Sequence, residues 1–164
     1  MAKKKLALPN VDRSCIIVKS SPIHGKGVFA AKTIKKGAAI IEYKGERISW
    51  KLAEKRHPHD PKDPNHTFYF SLEDGRCIDA KYGGNAARWI NHSCKPSCET
   101  REDNFDGEPR VFIYAKRDLK PGEELFYDYS LDVEGRITKQ MKKDYECRCG
   151  AKKCRGTMLS LDDK

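Results

Sequence analysis

The sequence has no apolar run approaching the ~20 residues that cross a bilayer as a helix, so no membrane-spanning helix and no membrane partner are expected. It shows no internal repeat and no low-complexity segment. Its opening stretch, MAKKKLALPN, has a basic start but an apolar run too short for the core of a secretory signal. The chain is therefore expected to work inside a cell, with delivery by a route lacking a cleaved signal left open. Acidic residues are in the minority, 24 Asp and Glu against 33 Lys and Arg, for a formal charge of +9. That excess favours anionic partners by long-range attraction, but it serves solubility equally well and does not by itself show nucleic-acid binding. Even pairing of cysteines is also missing. There are seven, three of them within eight positions, which argues for metal rather than disulfides.

What is present suffices for one folded domain with a short appendage. A chain of 164 residues can bury a core. Aromatic and β-branched residues recur along most of it, against disorder. Residues 1–14 read as a loose basic arm. From Cys15 the pattern turns β-rich: CIIVKSS and AAIIEYKGERIS are strand candidates punctuated by PIHGKG and IKKGA turns. SWKLAEKR predicts one or two helical turns with Ser49 as N-cap. HPHDPKDPNHT carries three prolines and no period, so it reads as a loop with solvent-exposed His57, His59 and His66 rather than a second metal site. TFYFSL and RCIDA bracket Asp74-Gly75, a hairpin signal. GNAARWINHS permits a short helix, RVFIYAKRDL is a strand, and PGEELFYDYS is a turn followed by a strand. The tail from Leu131 reads as basic and loop-like. Many short strands with one or two short helices give a mostly β fold of small sheets.

CRCGAKKC, residues 147–154, offers Cys147, Cys149 and Cys154 to one ion. Zinc takes four ligands in a tetrahedron and thiolates suit it, so a structural site needs a fourth protein ligand. Cys94 or Cys98 in NHSCKPSC supplies it from a distant segment. Lys152, Lys153 and Arg155 would offset the negative charge of such a tetrathiolate. The alternative is a surface cysteine cluster with no metal. Cys15 and Cys77 sit in apolar strand patterns and read as buried thiols. In ELFYDYS an extended chain puts Tyr127 and Tyr129 on one face and Phe126 and Asp128 on the other. The two tyrosines are either core packing or the walls of a narrow channel with hydroxyls at its end. Such a channel suits a lysine side chain, apolar along its stem and polar at its amine.

GKG (25–27), RWINHSC (88–94), GEELFYDY (122–129) and CRCGAKKC (147–154), in that order, resemble the SET-domain protein lysine methyltransferases with a post-SET zinc tail. The resemblance spans roughly Cys15 to Met158 and lacks the cysteine-rich pre-SET segment. It implies a SET domain over 15–130, a post-SET segment over 131–164, and small curved sheets with a C-terminal pseudoknot. It implies S-adenosylmethionine as cosubstrate, held by His24, Gly25, Lys26, Gly27, Arg88, Asn91 and His92, the last mainly through its main chain. Phe68 stands where relatives often carry a cofactor-contacting tyrosine, and a one-residue slip would put Tyr69 there instead. Tyr43, Tyr127 and Tyr129 would line the lysine channel, with Tyr129 the catalytic hydroxyl and also a neighbour of the cofactor. Tyr127 would favour mono- or dimethylation. Cys94 would join Cys147, Cys149 and Cys154 on a structural zinc ion, leaving Cys98 an ordinary thiol. The loop of 57–67 would help choose the peptide, with Asp60 and Asp63 meeting basic substrate.

The resemblance further implies a histone tail or another lysine-containing protein as substrate, weak nucleosome or nucleic-acid contact through the basic surface, and work in a nucleus on chromatin or in the cytoplasm, a host nucleus included. A competing reading is a basic zinc module that binds nucleic acid or chromatin without catalysis. Such a module has no use for the three tyrosines or for the NHS segment.

Overall fold

The computed structural model describes residues 5–57, 62, 67–133 and 135–161. The expectations for His59, His66, Asp60 and Asp63 lie outside the described residues. His57 is exposed.

Residues 5–12 carry no regular structure, and the chain is first pinned at a 3-10 turn, Arg13–Cys15. There Asp12 caps the turn, accepting from the Ser14 N–H at 2.9 Å, and pairs with Lys32 Nζ at 2.6 Å. Strands β1 (Ile16–Ser20) and β2 (Lys26–Ala30) follow as an antiparallel pair. The glycines of PIHGKG obscured β2, which buries Val28, Phe29 and Ala30. Next come β3 (Ala39–Glu42), β4 (Glu46–Ser49) and helix α1 (Trp50–Arg56), whose N-cap Ser49 accepts from the Leu52 N–H at 3.2 Å. Strands β5 (Tyr69–Ser71) and β6 (Arg76–Asp79) close the hairpin announced by Asp74-Gly75. A 3-10 turn at Ala86–Trp89 leads into the two-residue strand β7 (Asn91–His92).

Strand β8 (Cys98–Phe105) reads CETREDNF and gave no strand signal, because charge dominates it. Pairing imposes it. All eight of its residues match β9 (Glu108–Ala115) across a turn in which Asp106 and Gly107 take φ of 53° and 86°, the left-handed pair a tight hairpin requires. It is also an edge strand, where charge deters unwanted pairing. The last strand, β10 (Phe126–Tyr127), precedes helix α2 (Lys139–Asp144) in the tail that reads as loop. Thr138 supplies the N-cap of α2, accepting from the Met141 N–H at 3.1 Å. The helix buries no side chain, so it left no apolar period to detect.

The sheets are small, ordered β1-β2, β3-β9-β8, β4-β6-β5 and β10-β7. The chain is mostly β with short helices. The main core draws on all the sheets, with Val28, Ile40, Ile78, Ile90, Val111, Ile113, Leu119 and Leu125 at 0–1% exposure, and a small second cluster gathers Ile48, Ala53 and Cys77. The β10-β7 pair is parallel, aligning Phe126 with Asn91 and Tyr127 with His92. To reach it the chain runs from Leu119, bridged to Ile34, past Glu124, bridged to Phe29. Segments far apart in sequence therefore cross at Asn91–His92, and the candidate site is built on that crossing.

Candidate functional site

Four thiols converge beside the crossing. The sulfurs of Cys94, Cys147, Cys149 and Cys154 all lie within 4.8 Å of one another. Cys94 Sγ is 3.7 Å from Cys147 Sγ and 3.9 Å from Cys154 Sγ. Four sulfurs at ~2.3 Å from one zinc ion stand about 3.8 Å apart along each tetrahedral edge, so the spacing fits zinc and is far too long for a disulfide. Backbone N–H groups of Arg155 and Gly156 approach Cys94 and Cys154 sulfur at 3.4 and 3.3 Å, as expected around thiolates. Cys98, the other candidate fourth ligand, is buried in β8 with its sulfur 3.7 Å from Ser97 Oγ, outside the cluster. Cys15 and Cys77 are buried in the core, where burial pushes the Cys77 thiol up to about 11.

Asn91 is the hinge of the opposite side. Its Nδ2 donates to the carbonyls of His24 at 3.2 Å and Lys26 at 3.0 Å, and to Glu124 Oε1 at 3.0 Å. Glu124 Oε2 accepts from Ser21 Oγ at 3.0 Å, which ties both ends of the Gly25–Gly27 turn to the segment before β10. The two glycines serve different needs. Gly25 takes φ +45°, whereas a Cβ on Gly27 would meet Glu124 Oε1 at 2.2 Å. Sequence reasoning missed Glu124. The signal was the second Glu of GEEL, indistinguishable from a surface acid until its partners are known.

The aromatic wall follows from alternation. Tyr127 and Tyr129 share a face, ring centroids 4.8 Å apart, with Phe70 6.4 Å from Tyr127 and Tyr43 5.1 Å from Phe70. Burial pushes the Tyr43, Tyr127 and Tyr129 hydroxyls well above their usual range, with Tyr129 and Asp79 adding to it at Tyr43, Tyr43 and Tyr129 at Tyr127, and Glu124 at Tyr129, so all three stay protonated. Tyr43 donates its proton to the Phe68 carbonyl at 3.1 Å and Tyr129 donates to the Ile90 carbonyl. With those protons committed, both oxygens face any third group as acceptors.

Phe68 and Tyr69 part company as strand neighbours do. Phe68 packs edge-on against Trp89 at 5.3 Å, with the Arg88 guanidinium 4.8 Å and Lys26 Nζ 4.9 Å from the Trp89 ring. Tyr69 turns to α1 and donates to the Ala53 carbonyl at 3.1 Å. Phe68, not Tyr69, therefore lies among Lys26 and Arg88. Among the described residues, buried Arg88 Nε has no hydrogen-bond partner. A buried donor left without a partner suits a ligand that brings anionic or carbonyl oxygens.

His92 lies between the two halves. Its Nδ1 accepts from the Tyr129 N–H at 3.0 Å, which leaves the ring proton on Nε2, 3.5 Å from Cys94 Sγ. Burial pushes its pKa down to about 4, reinforced by Arg155 and opposed by Asp128, so the ring is neutral. Asp128 is gripped by both Nη atoms of Arg155 at 2.7 and 2.9 Å. Burial raises its pKa, but the Arg155 fork and the Ser130 N–H outweigh that and hold it at about 2.

Compared with known proteins, residues 25–130 match the family model of the SET domain. The chain is 39% identical over 146 residues to the histone-lysine N-methyltransferase trr of Drosophila melanogaster, covering 89% of this chain and 6% of that protein. It is 44% identical over 136 residues to the histone-lysine N-methyltransferase ASHH1 of Arabidopsis thaliana, covering 80% and 26%. Among solved structures, ctPRC2 in an autoinhibited conformation bound to S-adenosylmethionine aligns with TM-score 0.65 and 31% identity over 72% of this chain and 15% of that one. The chain thus spans a minor part of each of these relatives.

Proposed function

The chain belongs to the SET-domain family, and from that premise we propose that it is an S-adenosylmethionine-dependent protein-lysine N-methyltransferase acting on histone lysines in chromatin. The observation that carries this reading is the back-to-back arrangement at β7 and β10. Asn91 faces the Gly25–Gly27 turn, while the protonated Tyr127 and Tyr129 form an aromatic wall beside it. A noncatalytic basic zinc module would need neither.

The cosubstrate supplies a methyl group on a sulfonium. His24, Gly25, Lys26, Gly27, Phe68, Arg88, Asn91 and His92 are the residues that would hold it, with the Arg88 Nε donor available to it. The target lysine would lay its stem against Tyr43, Phe70 and Tyr127 and meet the Tyr129 oxygen with an amine N–H. That oxygen accepts, because its proton is already given to Ile90. The lone pair then points away from Tyr129. An amine with pKa near 10.4 costs about 4 kcal/mol to deprotonate at neutral pH, and desolvation in an aromatic channel offsets part of this. Among the described residues, no side chain beside the aromatic wall is set up as a general base. The tyrosines are protonated, and His92 Nδ1 already accepts the Tyr129 N–H. The proton leaves to solvent, and alignment supplies the acceleration. The four cysteines would hold zinc as a structural ion, closing the tail over the site.

Substrate engagement on chromatin has a surface to work with. Lys95, Lys116, Arg117 and Lys120 line one groove with Asp118 and Glu123, and Lys35 and Lys36 flank it through Asp118. The cations outnumber the acids there, which suits weak phosphate contact on a nucleosome.

The decisive experiment is transfer of labelled methyl from S-adenosylmethionine to core histones, with Tyr129→Phe alongside. Label on a histone that is lost in the variant supports the reading. Cofactor binding without transfer redirects it to a non-histone protein. No cofactor binding by calorimetry overturns it in favour of the basic zinc module.

A further inference from the structure

Arg155 follows Cys154 directly but gives the cluster no side-chain ligand; its guanidinium reaches into the segment between the two tyrosines. We propose that Arg155 is a positioning residue whose fork on Asp128, with His92 as a second tether, fixes Tyr129, so that the cysteine-bound tail sets the geometry of the catalytic strand. Only the kinetic arm of the test below rests on the methyl-transfer reading.

Two connections run from the thiol cluster to the Tyr129 backbone. In the first, Arg155 offers its backbone N–H to Cys94 Sγ at 3.4 Å while both Nη atoms hold the Asp128 carboxylate. Asp128 Oδ1 in turn accepts the Ser130 N–H at 2.9 Å. Ser130 has φ 42°, a left-handed conformation that costs a non-glycine residue about 1 kcal/mol or more and persists only where its surroundings impose it. Asp128 imposes it, and the turn it creates lies directly after Tyr129. In the second, the His92 ring spans from the Tyr129 N–H to Cys94 Sγ. Asp128, just before the reactive tyrosine, is thus tied to the sulfur cluster through Arg155, and the tyrosine's own N–H is tied to it through His92. Lysine cannot replace Arg155 here, since an ammonium lacks the planar fork that engages both carboxylate oxygens at once.

The test uses the full chain, zinc-loaded, as Arg155→Met, Arg155→Lys, Asp128→Asn and the double Arg155→Met/Asp128→Asn. Metal content, the backbone amide resonances of Tyr129 and Ser130, and steady-state kinetics on a histone-tail peptide are measured together. Zinc should stay at one ion per chain, while the Tyr129 and Ser130 amides shift in every variant. The kcat should fall tenfold to a hundredfold, the scale of an ångström-level misplacement, with peptide KM changed less than about twofold. Arg155→Lys should fall between wild type and Arg155→Met, and the double variant should be no worse than the worse single one. Unshifted amides, or zinc lost in proportion to activity, would overturn the proposal and leave Arg155 a staple of the tail. If the wild type transfers no methyl, the proposed function fails, while the amide shifts still decide whether Arg155 positions Tyr129.

Discussion

Asn91 offers a direct test of how the site is built, because one side chain joins three segments. Its amide group has two hydrogens shared among the His24 carbonyl, the Lys26 carbonyl and Glu124 Oε1, all within 3.2 Å. Asn91→Ala removes every one of these and leaves a small void at a position only 9% exposed. A neutral hydrogen bond contributes about 1 kcal/mol net, and one to a carboxylate about 1.5–3 kcal/mol. His24 and Lys26 are themselves exposed, so their carbonyls recover some hydration, whereas Glu124 is half-buried and recovers less. The expected loss is about 3 kcal/mol, a large fraction of the 5–15 kcal/mol typical of a domain but not all of it. In urea, with a slope of about 2 kcal/mol/M, the unfolding midpoint should move down by about 1.5 M. Intrinsic fluorescence follows the transition, since Trp89 lies next to the turn through Lys26. A loss below about 1 kcal/mol would refute the claim that this amide holds the crossing together.

Three further outcomes are expected. Chelation of zinc followed by maleimide at neutral pH, read by mass spectrometry, should label Cys94, Cys147, Cys149 and Cys154 and spare the buried Cys15, Cys77 and Cys98; any other set of four would reject the cluster as the metal centre. Gly27→Ala should be far more damaging than Gly25→Ala, since the first drives a methyl group into Glu124 Oε1 whereas the second has open space and costs about 1 kcal/mol of backbone strain; melting temperatures of the two variants should separate by several degrees in that order. Tyr127→Phe should raise the number of methyl groups per lysine by freeing room at the channel end, so an unchanged product distribution by mass spectrometry would remove Tyr127 from control of the product.

Much of this protein is legible in its sequence because the signals are local. Asp74-Gly75 needs only its own backbone preference to turn β5 into β6, and Ser49 needs only its own hydroxyl to start α1. The C-x-C-x4-C spacing points to a metal site, since three thiols that close in sequence are close in space. Alternation alone puts Tyr127 and Tyr129 on one face. Tertiary structure decided what local signals cannot carry. The charged CETREDNF is a strand only because β9 supplies eight partners. Cys94 rather than Cys98 joins the tail thiols because the backbone after β7 carries one sulfur to the cluster and buries the other in β8. Phe68 meets Arg88 and Trp89 while Tyr69 meets α1, a register set by the pairing of β5 with β6. Glu124 and Asp128 looked like ordinary surface charges and Arg155 like a charge balancing the thiolates, because the groups they actually grip lie 27 or more residues away in the chain. Sequence fixes which groups are available and how neighbours along the chain are oriented. Only the burial of the main core, with strands crossing at Asn91 and His92, brings distant charges, thiols and tyrosines within reach of one another.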